Sequence, residues 1–145
     1  MSTRHASATG LLGRVGSRAF LTAAWIVAAT ATAGSLYFSE ILMLVPCELC
    51  WAQRIFAYPL VVVLGVAAWE NRAAVVRSVL PLSVTGGVIA AYHSYIQATP
   101  SGGSCGVDGG CSSVQYQFVG LSIPNLALTA FVLITLGALA AWVAE

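Results

Sequence analysis

The sequence predicts an all-α integral membrane protein, a bundle of four transmembrane helices with both termini in the cytoplasm. Hydrophobic residues make up 59% of the 145 residues and charged residues only 8%, whereas a soluble domain carries roughly 25% charged residues. Four long apolar segments alternate with short polar ones, and a helix needs about 20 apolar residues to cross a bilayer. The formal net charge of +1 gives no indication of a nucleic-acid partner.

Each predicted span is an apolar run bounded by polar residues. The first carries no charge from Phe20 to Ser39, and the second is interrupted only by Arg54. The fourth has Ser122 as a candidate N-cap and Pro124 in its first turn, where a missing N–H costs little. The predicted spans are residues 20–42, 49–69, 78–97 and 122–143, within one membrane domain of residues 19–145 that follows a disordered cytoplasmic tail of residues 1–18.

The arginines predict the orientation of the bundle. Three of them, Arg4, Arg14 and Arg18, precede the first span, and Arg72 and Arg77 lie in the loop of residues 70–77. Both segments fall on the same side of a four-span bundle, and the positive-inside rule places that side in the cytoplasm. All four cysteines are then extracytoplasmic, although they were not used to assign the topology. Two of them lie in the long outer loop, residues 98–120.

The start of the chain permits a second interpretation. Arginines followed by an apolar run and the small residues ATATAGS, residues 29–35, are also typical of a cleaved secretory signal, and the serine-rich, acid-poor start has features of a transit peptide. The apolar run is longer than a signal h-region of about 7 to 15 residues. We therefore expect an uncleaved first span.

The four cysteines form two pairs with different surroundings. Cys47 and Cys50 open the second span as C-x-x-C, where a helix N-terminus favours a thiolate over a thiol. Cys105 and Cys111 lie in a glycine-rich loop that can present either sulfur to an incoming thiol. An oxidising location favours disulfides. Two structural staples and a tetrahedral zinc site of four cysteines are the alternatives.

Two further polar residues lie at equal predicted depth. Arg54 follows Cys50 by four residues and therefore shares its helix face, and His93 lies four or five residues before the outer end of the third span. Arg54 alone could extend to the outer headgroups, and His93 alone could be a packing residue. Together they favour a shared polar pocket, because ionisable residues at membrane depth indicate function. A quinone fits such a pocket, with both residues donating hydrogen bonds to its carbonyl oxygens.

Several motifs together resemble the DsbB and BdbC type of disulfide-bond formation protein, a family of quinone-coupled thiol oxidases of bacterial membranes. The motifs are PCELCWAQR (46–54), YHSYIQATP (92–100), the second cysteine pair and FVGLSIPN (118–125), and the resemblance covers residues 20–143. The short C-x5-C loop is similar to that of the compact Gram-positive and actinobacterial branch. The resemblance implies a protein of the bacterial cytoplasmic membrane that reoxidises an extracytoplasmic DsbA-like thioredoxin-fold partner. The implied cofactor is menaquinone or ubiquinone from the quinone pool, without a metal.

The resemblance also implies a role for each cysteine. Cys105 would be attacked by the partner's thiolate, forming a transient intermolecular disulfide. Cys111 would exchange with Cys47, which links the loop to the membrane pair. Cys50 would then be the thiolate that faces the quinone ring.

The same resemblance assigns the remaining site residues. Arg54 would stabilise the thiolate and the bound quinone, His93 matches the family's quinone-site histidine, and Gln53 matches the motif without a defined role. A vitamin K epoxide reductase-like enzyme is a second candidate, but in that family the quinone-proximal C-x-x-C lies near the last core span. A non-enzymatic membrane protein with structural disulfides is the third.

Overall fold

The computed structural model describes residues 2–43, 48–98, 117–118 and 120–144, with side chains described from residue 16 onward except at 73, 117 and 118. Cys47, Cys105 and Cys111 lie outside the described residues. In chain order the elements are helix α1 (Ser2–Leu36), a π-helical segment (Tyr37–Ile41), α2 (Glu48–Glu70), a 3-10 turn (Ala73–Val75), α3 (Val76–Ala98), strands β1 (Gln117–Phe118) and β2 (Leu121–Ser122), and α4 (Ile123–Ala144).

The predicted class of an all-α four-helix membrane bundle is confirmed. Among the described residues, four segments are long and apolar enough to cross a membrane: Gly16–Ile41, Glu48–Glu70, Val76–Ala98 and Ile123–Ala144. Helices suit this environment because they satisfy every backbone N–H and C=O within the segment, where lipid offers no partner. Helices α2, α3 and α4 begin and end within two residues of the predicted spans. The cytoplasmic location of the termini stays a prediction.

Helix α1 differs from the sequence-based expectation at its start. The structure has a helix from Ser2 onward, through the segment expected to be a disordered tail over residues 1–18. The segment contains no proline and several good helix formers, alanine, leucine and arginine among them. Extending a helix that a membrane span has already nucleated costs far less than starting one. The membrane-spanning part of this helix begins at Gly16.

Each helix packs against two neighbours, so that α1, α2, α3 and α4 form a ring in chain order. Buried residues recur at steps of three and four, as expected for the seam of a left-handed bundle. The buried face of α3 combines small, apolar and polar residues: Val76, Val79, Ser83, Gly86, Ala90, His93 and Ile96. Small residues on such a face let the helix backbones approach closely, which is the main source of attraction between helices in lipid.

The contact between α3 and α4 illustrates this close approach. The ring of Phe131 packs directly on Gly86, since a Cβ atom at Gly86 would lie 2.9 Å from Cδ1 of the ring and nearer still to two other ring carbons. One turn away, Thr135 Oγ1 lies 2.9 Å from Ser83 Oγ and 2.8 Å from the carbonyl of Phe131. The two helices are therefore held by both packing and a hydroxyl pair.

A short hairpin leads into α4. Strands β1 and β2 are antiparallel, with Gln117 opposite Ser122 and Phe118 opposite Leu121. Gly120 has a φ of 79°, in the left-handed region that glycine adopts without strain. Ser122, the predicted N-cap residue, thus ends a strand immediately before the helix, and Pro124 lies in its first turn as predicted.

We expect Gly86→Ala to destabilise the bundle by about 1–3 kcal/mol, the usual cost of overpacking a core, because its methyl group would displace Phe131. The matched control is Gly87→Ala, whose Cβ would meet Phe131 Cβ at an ordinary 3.5 Å. Both changes raise helix propensity equally. The difference between their free energies of unfolding therefore measures the effect of the contact with the Phe131 ring. Unfolding of the purified variants in detergent measures it, and equal stabilities would contradict this account of the α3–α4 contact.

Candidate functional site

A cavity of about 680 Å³ lies between α1, α2 and α4, at the end of the bundle where α2 begins. Its walls are mostly apolar and come from residues 26–39 of α1 and the π-helical segment, Leu121 of β2, and residues 123–134 of α4. Helix α2 contributes Cys50, Gln53, Arg54 and Ala57. The volume lies in the range of about 300–1,000 Å³ that is typical of small-ligand sites.

The polar wall of the cavity comes from one face of α2. Cys50, Gln53 and Arg54 are separated by three and four residues, so they lie on the same side of the helix. Cys50 is half-buried in the first turn of the helix, which begins at Glu48. Backbone N–H groups of a first turn have no intrahelical acceptor, and they favour a negatively charged group there.

The hydrogen bonds between Arg54 and α1 both end on one residue, Ser35. Its Nε donates to Ser35 Oγ at 2.9 Å, and its Nη2 donates to the backbone carbonyl of Ser35 at 3.0 Å. The guanidinium also stacks on the ring of Trp51, with Cζ 5.1 Å from the ring centroid, a cation–π contact. Arg54 is thus half-buried and directed toward α1 at the cavity wall.

The partners of Arg54 are neutral. Among the residues that the structure describes, the one ion pair joins Arg72 and Glu70 at 3.2 Å, at the other end of α2. Glu40 and Glu48, which are described and exposed, make no ion pair with Arg54. The positive charge at the cavity wall is therefore hydrogen-bonded without being cancelled by a carboxylate of the described part of the chain.

His93 is buried behind the cavity wall. Its exposed fraction is 1%, and Gln53 Nε2 donates to its Nδ1 at 3.1 Å across the α2–α3 contact. On the other side of the ring, Gln97 Nε2 lies 3.4 Å from Nε2 of His93. His93 is absent from the cavity lining, whereas Gln53 belongs to it. The sequence predicted that Arg54 and His93 both donate to one ligand. In the structure, Gln53 lies between His93 and the cavity.

Two features of the site were missed by the sequence reasoning. One is Ser35, which was considered only within the small residues of a possible cleavage site. The other is the π-helical segment, in which the N–H of Leu42 donates to the carbonyl of Tyr37 at 3.1 Å. Tyr37, Phe38 and Ser39 all line the cavity, and π-helical turns are frequent at functional sites. In the sequence, the one indication of these two features is a pair of serines, Ser35 and Ser39, in a largely apolar span.

Of the four predicted redox cysteines, the structure describes Cys50 and places it on the cavity wall. Cys47, Cys105 and Cys111 fall outside the described residues. The assignment of the two pairs therefore stays a prediction. The site as described consists of one cysteine, an amide and a guanidinium that face a common apolar space.

Comparison with known proteins identifies the family. The family model of disulfide bond formation protein DsbB matches residues 17–141. Disulfide bond formation protein C of Bacillus subtilis (strain 168) is 48% identical over 119 residues, which cover 79% of this chain and 86% of that protein. The probable disulfide formation protein of Oceanobacillus iheyensis is 39% identical over 115 residues, covering 76% of this chain and 79% of the relative.

A further relative has a higher sequence identity over a shorter segment. The probable disulfide formation protein of Deinococcus radiodurans is 62% identical over 63 residues, 43% of this chain and 41% of that protein. No solved structure matches the chain. With four membrane-spanning helices and a family match over most of its length, the chain is a multi-pass membrane protein that belongs to the DsbB family of disulfide bond formation proteins.

Proposed function

We propose that this protein is a membrane thiol:quinone oxidoreductase that reoxidises an extracytoplasmic, DsbA-like thioredoxin-fold protein and so supports disulfide bond formation. The observation that carries the proposal is the shared cavity wall of Cys50, Gln53 and Arg54 in a member of the DsbB family. The arginines before the first span and in the loop of residues 70–77 support a cytoplasmic location for both segments. The cysteines would then face the oxidising side of the membrane.

The cavity is suited to a quinone. Its long apolar walls between α1 and α4 match a ring and its isoprenoid chain, and Gln53 and Arg54 offer N–H donors for carbonyl oxygens. Ile26 and Leu133 belong to the lining and have exposed side chains, which supports entry from the lipid. When bound, the quinone supplies the acceptor for two electrons and two protons.

The thiol chemistry divides between the two cysteine pairs. The thiolate of the reduced partner attacks Cys105 Sγ, which breaks the Cys105–Cys111 disulfide and leaves Cys111 as a thiolate. Cys111 then attacks Cys47, which breaks the Cys47–Cys50 disulfide and leaves Cys50 as a thiolate. Such exchange requires an accessible thiolate at each step, and the glycines around Cys105 and Cys111 support that access.

The residues around Cys50 stabilise its thiolate. Cys50 lies in the first turn of α2, where backbone N–H groups favour negative charge. Arg54 lies one turn along the same face, and its charge is not neutralised by a described carboxylate. Both features favour the thiolate at the cavity wall over the thiol.

His93 acts through Gln53 in this proposal. The imidazole holds the Gln53 amide by the 3.1 Å bond to Nδ1, and the Gln97 amide lies 3.4 Å from its other ring nitrogen. An amide held in this way keeps its orientation toward the cavity. His93 is therefore a positioning residue, and Gln53 contacts the ligand.

We expect Cys47→Ala and Cys50→Ala to lower quinol formation to the uncatalysed background, because the membrane pair carries every electron. Cys105→Ala should lose oxidation of the partner yet still form quinol from a small dithiol that reaches the membrane pair directly. The measurement is quinol absorbance with purified protein, a short-chain quinone and a reduced thioredoxin-fold protein. The control is Thr22→Val, at an exposed α1 position away from the cavity. Undiminished turnover in Cys50→Ala would refute the proposal.

Arg54→Leu should raise the KM for quinone by about 10- to 100-fold, because a hydrogen bond to a charged group contributes about 1.5–3 kcal/mol. Arg77→Leu is the matched control, since Arg77 is exposed at the opposite end of the bundle. Steady-state kinetics over a range of quinone concentrations measure the change. An unchanged KM in Arg54→Leu would show that Arg54 does not contribute to quinone binding.

Gln53→Leu and His93→Phe should each raise the KM for quinone, and the double variant should match Gln53→Leu within about twofold. This non-additivity is expected for residues that act in series. Tyr92→Phe, at an exposed neighbour of His93, is the control. If the effects of the two substitutions on the KM for quinone multiply in the double variant, His93 contacts the ligand independently of Gln53.

A further inference from the structure

Within the part of the chain that the structure describes, Arg54 makes its hydrogen bonds to one residue of another helix. Both bonds, at 2.9 Å and 3.0 Å, end on Ser35 of α1, which is itself half-buried and lines the cavity. We propose that Ser35 is the positioning residue of the site, which holds the Arg54 guanidinium at the cavity wall with its charge intact. This inference rests on the proposed quinone function.

Two bonds to one residue fix a guanidinium in direction as well as in place. The group is planar with five N–H donors in a rigid fork, and Ser35 engages one hydrogen on Nε and one on Nη2. Within the described residues, Arg54 has no other hydrogen-bond acceptor. The Nη1 hydrogens and the second Nη2 hydrogen are therefore left for a ligand in the cavity.

The neutrality of Ser35 matters as much as its position. A carboxylate partner would hold the guanidinium equally well, but it would cancel most of its attraction for negative charge. A hydroxyl and a carbonyl satisfy the donors and leave the net charge of +1 on Arg54 to act on Cys50 and the ligand. At membrane depth such a charge without acceptors would be drawn toward the headgroups, so Ser35 also opposes that displacement.

The local structure of α1 supports this role. Ser35 lies two residues before the π-helical segment, and its carbonyl, besides accepting from Arg54, lies 3.3 Å from Ser39 Oγ. On the other side, the ring of Trp51 lies against the guanidinium at 5.1 Å. Arg54 is thus confined between a residue of α1 and a residue of its own helix.

The test measures binding rather than turnover. A short-chain quinone is titrated into purified, quinone-free protein, and its Kd is determined by equilibrium dialysis. Ser35→Ala should raise the Kd about five- to tenfold, since one of two bonds to a charged group is lost while the carbonyl remains. Ser35→Thr keeps the hydroxyl and should stay within about twofold of the unaltered protein. Thr22→Val, which removes a hydroxyl bonded only within α1, should leave the Kd unchanged.

A second background separates positioning from direct contact. In Arg54→Leu protein, Ser35→Ala should cause no further loss of binding, because Ser35 acts through Arg54. An equal further loss would mean that Ser35 touches the quinone itself, and an unchanged Kd in Ser35→Ala alone would mean that it has no role; either result overturns the inference. Absence of quinone binding by the unaltered protein would refute the proposed function instead.

Discussion

A guanidinium within a membrane-spanning helix must find its hydrogen-bond acceptors inside the protein, because the hydrocarbon region has none to offer. In this bundle Ser35 supplies two of them to Arg54, and the resulting contact joins α1 to α2 beside the cavity. Cys50 and Gln53 share the helix face of Arg54 and therefore face the same space. The polar wall of the site follows from how this one charge is accommodated.

The buried face of α3 connects the packing of the bundle to the site. Its small residues, Ser83, Gly86 and Ala90, allow close contact with α4, and His93 is the next position in the same pattern of steps. Burial leaves the imidazole without water, so its nitrogens must be satisfied by protein groups. Gln53 meets that requirement at Nδ1, and the Gln97 amide lies beside Nε2. The packing that makes the bundle stable thus also fixes the amide that faces the cavity.

The cavity has two kinds of wall, and the proposed chemistry needs both. Helices α1 and α4 give apolar walls for a lipid-soluble molecule, and α2 gives the thiol and the donors. The charge of Arg54 is balanced by dipoles instead of by a described carboxylate. In a site that excludes water, fixed dipoles and an uncancelled positive charge stabilise a thiolate or a developing anion.

The sequence by itself determined the features that depend on one segment at a time. Span number and length follow from the apolar runs, because the bilayer thickness sets them, and the shared face of Cys50 and Arg54 follows from helical periodicity. It did not predict that α1 begins at Ser2, within the segment of residues 1–18 that was expected to be a disordered tail.

Only the tertiary structure decided which residues meet between helices. Hydrophobicity cannot mark the buried face of a membrane helix, because the lipid-facing side is equally apolar. The partners of the site are 19 residues apart for Ser35 and Arg54 and 40 residues apart for Gln53 and His93. Their contact depends on the rotation and depth of each helix, and close packing of small side chains sets both. For this reason Gln53 came to lie between His93 and the cavity, and Ser35 came to hold Arg54.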